Sequence, residues 1–485
     1  MAAMPVNPLP PSLVRAIFLL AALGLAAPAQ AHSFGVIYTL PVPFWLYAWS
    51  ASAALIVSFV IVGVFATRSA DSPAGPVETG RIRELPRWLL LPLRAGSLGA
   101  LWLCIATGLF GTANPYGNFN MTFFWIVFVL GFAYLTALAG DLYSRISPFA
   151  TLARWLPHHG LLRYPTAIGY TPALIFYAAF LWLELFSGGS PRTLSWALLI
   201  YSACTLLGVL LFGARDWLRH GEFFAVWLRL IARMAPIAFE DAHSRRFRWR
   251  WPFSGLRQKA PEHWTLLLFA LFMLSSTAFD GLHEAKVWVE LYWRTLYREV
   301  LSSWYGSNPL AAFPQMRALY QYWQLGWLLI SPWLYLGFYL AGIALMRILL
   351  EKRHSLMQLA TSFMPSLLPI VLVYHITHYY TLIETQGIRI IALASDPFGK
   401  GWDLFGTASW FRRVFVPDSA VVWHVQVALI LIGHIVSVYI AHQIALDLFK
   451  DRRSATISQL PMLVLMVAFT VAGLWILSQP IRTAP

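Results

Sequence analysis

Apolar runs of about twenty residues, closed by prolines, glycines or arginines, follow one another along almost the whole chain. A helix rising about 1.5 Å per residue needs about twenty apolar residues to cross a bilayer. The pattern therefore predicts spans near 44–66, 89–111, 121–140, 168–187, 193–213, 264–280, 323–346, 358–383, 422–444 and 460–478. The fold class expected is all-α, a polytopic membrane helical bundle with about ten transmembrane helices. One earlier run is too short to span. Ala16 to Ala27 follows Arg15 and ends in Pro28 and Ala29-Gln30-Ala31, which reads as a secretory signal with a small-residue cleavage site. The domain reading is a signal peptide over 1–31 and a single integral membrane domain over 32–485, with His32 as the mature N-terminus.

Composition agrees with the pattern. Hydrophobic residues make up 59% and charged residues 12% of the chain, and mean hydropathy is +0.62, where a soluble globule would carry about twice that charged fraction. The net charge of +14 does not point to nucleic acid, because the basic residues sit in short segments between apolar runs. With a translocated N-terminus, the loops 67–88, 141–167, 214–263, 347–357 and 445–459 fall on the cytoplasmic side and hold the strongly basic segments. That orientation predicts a bacterial inner membrane protein. The loop with Arg245, Arg246, Arg248, Arg250, Arg257 and Lys259 reads as a contact for anionic headgroups, and the stretch from Glu222 to Phe239 as an amphipathic helix lying in the interface. On the other side, 281–322 and 384–421 are long enough to require structure of their own; short helices over an outward-opening cavity are expected there. Cys104 and Cys204 form no ligand pair.

Ionisable residues inside the apolar runs carry the candidate chemistry, since they are costly in a membrane unless partnered. Tyr374-His375-Ile376-Thr377-His378-Tyr379-Tyr380 puts two imidazoles three residues apart, on one helix face. Asp280 and His283, at the end of the sixth predicted span, fall at a similar depth. His424 lies at the outer edge of the ninth span, His434 about 15 Å deeper and His442 about another 12 Å inward, so these cannot all reach one ion. The expected cluster is Asp280, His283, His375 and His378, with His434 or His424 as a further member. Imidazole with carboxylate suits a divalent metal ion such as zinc, iron or manganese, or copper. The competing reading makes the histidines helix-packing hydrogen bonders. Glu184, near the outer end of the fourth span, is a candidate ligand, general base or partner for Arg192. Pro365 and Pro369 are expected to kink the eighth helix and free carbonyls that a neighbour must satisfy. No Walker loop, G-x-S-x-G elbow or H-E-x-x-H motif is present.

Several segments together resemble bacterial membrane proteins labelled fenitrothion hydrolase. They are Leu40-Pro41-Val42-Pro43, Phe279-Asp280-Gly281-Leu282, Ser395-Asp396-Pro397-Phe398-Gly399 with Gly401-Trp402 and Leu404-Phe405-Gly406-Thr407, and Gly433-His434 with Ala441-His442. The resemblance implies hydrolysis of an organophosphorus triester to a dialkyl thiophosphate and a nitrophenol. Such a substrate is lipophilic and would concentrate in the lipid bilayer. Under this reading Asp280, His375 and His378 are catalytic, and Asp280, His283, His375, His378 and His434 are metal ligands. Tyr379 and Trp402 would form walls of the substrate pocket, on the periplasmic side. Two other readings stay open at this level: a redox protein holding haem or copper through His375, His378, His424 and His434, with or without His32, and a transporter whose histidines bind a metal in transit.

Overall fold

The computed structural model of the protein describes residues 43–65, 82–156, 160–241, 244–257, 263–306, 308, 311–350, 354–411, 417–449 and 452–479. The expected signal peptide over 1–31, His32, Leu40-Pro41-Val42 and Lys259 lie outside the described residues. The bundle is framed by α1 (Phe44–Phe65), α2 (Arg87–Phe110), α3 (Phe119–Ala139), α4 (Thr171–Phe186), α5 (Pro191–Phe212), α6 (Phe223–Ala232), α7 (Trp264–His283), α8 (Phe313–Leu349), α9 (Leu356–Thr385), α10 (Ser419–Leu448) and α11 (Arg453–Leu477). Among the described residues, all of these but α4 and α6 are long and apolar enough to cross a membrane. The chain is an all-α, multi-pass membrane protein. The fourth expected span is α4, whose 16 residues reach only about 24 Å, short of a hydrocarbon core of about 30 Å.

Buried polar residues fasten the helix ends. Asn118, wholly buried, donates through Nδ2 to the carbonyls of Thr107 (2.9 Å) and Thr112 (2.8 Å), while its Oδ1 accepts from the amide of Asn120. The end of α2 and the start of α3 are thereby satisfied by one side chain. At Gly108, Ser195 and Asn120 leave no room for a Cβ, so α2 and α5 approach closely there. In α9 the expected break is a single 3-10 turn, Met364–Leu367, around Pro365. Ser366 Oγ donates to the Phe363 carbonyl (2.7 Å), and Ser437 Oγ from α10 donates to the Ser366 carbonyl (2.5 Å). The two serine hydroxyls thus give carbonyls of the proline turn a donor inside the membrane. The segment 281–322 does contain short helices, Lys286–Glu290, a π-helical Leu291–Leu301 and Ser302–Tyr305, before α8 begins. It is shorter than expected, because α8 starts ten residues ahead of the expected span, at Phe313.

One expectation for this part of the chain needs correction. The helix expected to lie in the interface is α6, and it is built into the bundle: Phe223, Phe224, Val226, Trp227, Leu228, Leu230, Ile231 and Ala232 are all buried. Ten residues are too few to read as a span, and Arg229 and Arg233 gave the stretch an interfacial look, yet only a narrow stripe, Ala225, Arg229 and Arg233, is left partly exposed. Glu222 accepts from the amides of Phe224 (3.2 Å) and Ala225 (2.8 Å) and so caps its start. The arginine-rich stretch is the middle strand of a small antiparallel sheet in the order β1 (Arg83–Glu84), β3 (Arg246–Trp249), β2 (Ile237–Phe239). Its arginines face protein as well as surroundings. Arg245 and Arg246 pair with Glu84 (3.2 and 3.3 Å), Arg248 pairs with Glu240 (3.5 Å), and buried Arg250 donates to the carbonyls of Ala232, Arg233 and Ala235 at the end of α6. From α6 outward, this buried guanidinium closes the helix C-terminus as basic side chains favourably do. Arg145, also buried, donates to the Ser244 and Asp241 carbonyls and lies over the Phe239 ring (3.6 Å). Burial pulls its guanidinium down to about 10, opposed by Asp141 and Asp241, so it keeps its charge at neutral pH.

Candidate functional site

The sheet lies beside the start of α7 in sequence, so the far end of the bundle is where α7 finishes with Asp280 and His283 and where α9 carries His378 and Tyr379. There His378 donates through Nε2 to Asp280 Oδ2 at 2.7 Å, and Tyr379 Oη donates to the same oxygen at 2.6 Å. His283 donates through Nδ1 to the Asp280 main-chain carbonyl (2.7 Å), with Asp280 Oδ1 3.7 Å away, and its ring stacks on Phe279 at 5.6 Å. One carboxylate therefore gathers an imidazole and a phenol, with a second imidazole at its edge. Pairs of this kind are short when one partner is ionised. With Nε2 engaged, His378 keeps Nδ1 as its remaining nitrogen. That atom lies beside Gly281, which presents no side chain to cover it.

His375 does not join this group. Residues three apart on a helix are offset by about 60° in projection, and here the offset separates the two rings. The His375 ring lies against Tyr134 (5.8 Å) and Trp227 (5.7 Å), and Tyr379 fills the gap, 5.1 Å from His375 and 4.6 Å from His378. His375 Nδ1 is buried without a hydrogen-bond partner. The ring instead borders a cavity lined by Glu184, Asp280, Tyr379, Trp227, Tyr177 and Thr277 among others, in which water centres have about 20 Å³. A single water needs about 10–15 Å³ by that measure. Water fits, whereas a triester or a porphyrin enters only if the helices part.

The remaining candidates sit elsewhere. His434 is buried on α10, its Nδ1 donating to the Ile430 carbonyl (2.8 Å) and its ring facing Tyr374 (6.0 Å). His424 is exposed and spends Nδ1 on the Ala420 carbonyl (2.6 Å), and His442 meets Gln459 Nε2 through Nδ1 (2.8 Å). Trp402 is 43% exposed on the loop after α9, beside Phe398 (5.5 Å), and does not line the cavity. Asp396 ties that loop together by accepting from the amides of Lys400 (2.9 Å) and Gly401 (2.7 Å). Arg192, the partner considered for Glu184, is exposed.

Among the described residues, no three His, Cys, Asp or Glu side chains converge as a metal ion requires. His378 and Asp280 spend their facing atoms on each other, and the His283 nitrogen nearest them is spent on a carbonyl. What the arrangement can do without further ligands is move a proton: a carboxylate fixes an imidazole, and carboxylates line an adjoining water-sized space. Trp227 and Tyr177 are site residues that sequence reasoning missed. Trp227 comes from α6, so recognising the apolar run Phe223–Ala232 as internal would have found it. Tyr177 lies seven residues, about two turns, before Glu184, on the same face of α4. Compared with known proteins, the chain matches no family model, no curated protein and no solved structure.

Proposed function

We propose that the protein is a membrane-embedded hydrolase of lipophilic phosphoric and thiophosphoric triesters, in a bacterial inner membrane with its site towards the periplasm. The observation that carries the reading is the 2.7 Å contact between Asp280 and His378, with Asp280 also lining a cavity large enough for a water. The sequence resemblance supplies the substrate class. In this reading Asp280 holds the imidazole by Nε2, and His378 Nδ1, beside Gly281 and outside the cavity lining, takes a proton from a water admitted with the substrate, as in other carboxylate–imidazole pairs. The water oxygen bonds to phosphorus, the bond from phosphorus to the aryl oxygen breaks, and the nitrophenolate leaves with the electron pair. The proton then passes from His378 to bulk water. Tyr379 steadies the carboxylate, and Glu184 keeps the neighbouring space polar. The substrate arrives from the bilayer and is admitted when the helices around the cavity separate.

The test is nitrophenolate release from a dimethyl nitrophenyl thiophosphate by purified protein in lipid nanodiscs. Wild type should turn over, and His378→Gln should lose about 100-fold or more, the usual share of a general base. A folded wild-type protein that releases no nitrophenolate, or a His378→Gln variant at full rate, overturns the reading. The small size of the cavity favours a second reading, a site for a proton or a metal ion in transit. Ion uptake into protein-loaded vesicles, abolished in Asp280→Asn, would favour it.

A further inference from the structure

A second cavity lies further along α9 from the dyad and shares only Tyr177, Trp227 and His375 with the first. Its remaining walls are Ile231, Met234, Met273, Leu368, Val371 and Leu372. Water centres have about 10 Å³ there, close to one water-sized sphere, and the walls are almost wholly apolar. A trapped water needs two to four polar partners. The walls offer it little: Tyr177 Oη is engaged with Ser276 Oγ (3.0 Å). Yet His375, whose ring borders both cavities, has a buried Nδ1 with no hydrogen-bond partner, which costs free energy if nothing ever binds it. Two thioethers share the space with that imidazole, and the three side chains come from three elements: Met234 from just after α6, Met273 from the middle of α7 and His375 from α9.

Thioethers with an imidazole, and no carboxylate in the lining, are a soft donor set, suited to Cu(I) and unsuited to magnesium or calcium. We propose that Met234, Met273 and His375 form a binding site for a soft monovalent cation, Cu(I), inside the bundle. The ion binds by direct coordination and needs no electron transfer. Its ligands are distinct from the Asp280–His378 pair, so the site does not depend on the hydrolase reading. Methionine is otherwise a gap-filling core residue, which is the reading the experiment must separate from this one.

The experiment is an anaerobic competition, in detergent with ascorbate, between the purified protein and a chromogenic Cu(I) chelator. The variants are Met234→Leu/Met273→Leu, which nearly conserves volume and so should fold, and His378→Gln. Folding of each is checked by size-exclusion chromatography and by thermal unfolding. Wild type should withdraw one Cu(I) per chain from the chelator. The double methionine variant should bind at least tenfold more weakly, and His378→Gln should bind as wild type does. Three results would overturn the proposal: all Cu(I) remaining with the chelator, a folded methionine variant that binds like wild type, or binding lost in His378→Gln and kept in the methionine variant.

Discussion

Helices α1 and α7 are alike in length and apolarity, yet only 17% of the most apolar stretch of α1 is buried in the protein against 78% for α7. The same contrast holds between α2, at 17%, and α9, at 72%. Lipid is as apolar as a leucine side chain, so hydropathy cannot tell a lipid-facing helix from a central one. Polar content can. The described part of α1 has no ionisable group but Tyr47, whereas α7 and α9 carry Asp280, His283, His375 and His378. An ionisable side chain in the membrane demands partners, and only a central helix provides them on several sides.

The contrast can be broken most severely at Asp280. Asp280→Ala removes the acceptor for His378 and Tyr379 at once and should lower stability by about 3 kcal/mol, the cost of splitting a buried pair. The check is the midpoint of thermal unfolding in detergent, and Asp280→Asn, which keeps an acceptor, should lose less. Next comes packing. A Cβ on Gly433 of α10 would fall on the Val373 side chain of α9, so Gly433→Ala should cost about 1–3 kcal/mol. Gly96→Ala on α2, where nothing lies within 4 Å of the new Cβ, should leave the midpoint unchanged or raise it. Equal losses at the two glycines would mean that the central and peripheral helices are not distinguished by packing. Smaller still is Tyr379→Phe, which deletes one hydrogen bond to Asp280 and should cost about 1 kcal/mol in urea or guanidinium unfolding. Least of all is Val60→Ala on α1, 55% exposed, for which a change within about 0.5 kcal/mol is expected by the same titration.

The spans were legible because twenty apolar residues in a row have few other uses. The site was legible in part: an aspartate and histidines at matching depths foretold that Asp280 and His378 meet, and Glu184 proved to border the same space. Its details were not, because a helix face is broader than a coordination sphere. His375 and His378 share a face by spacing, yet Tyr379 divides them. His434 and Trp402 belong to the sequence resemblance and still fall outside the cavity, since chain segments alone do not say which side of a helix meets which neighbour. The sheet had a visible sign in Arg246-Phe247-Arg248-Trp249-Arg250-Trp251, whose period of two is that of a strand. Net basic charge drew attention to headgroups instead, although Glu84 and Glu240 were available as partners.

The central claim is that Asp280 and His378 form one buried unit between α7 and α9. A double-mutant cycle on unfolding free energy, using Asp280→Asn, His378→Gln and the pair together, tests it directly. The account predicts a coupling above about 1 kcal/mol, with the double variant less destabilised than the two single losses added. Additivity within about 0.3–0.5 kcal/mol would show that the two side chains act independently and would contradict the account.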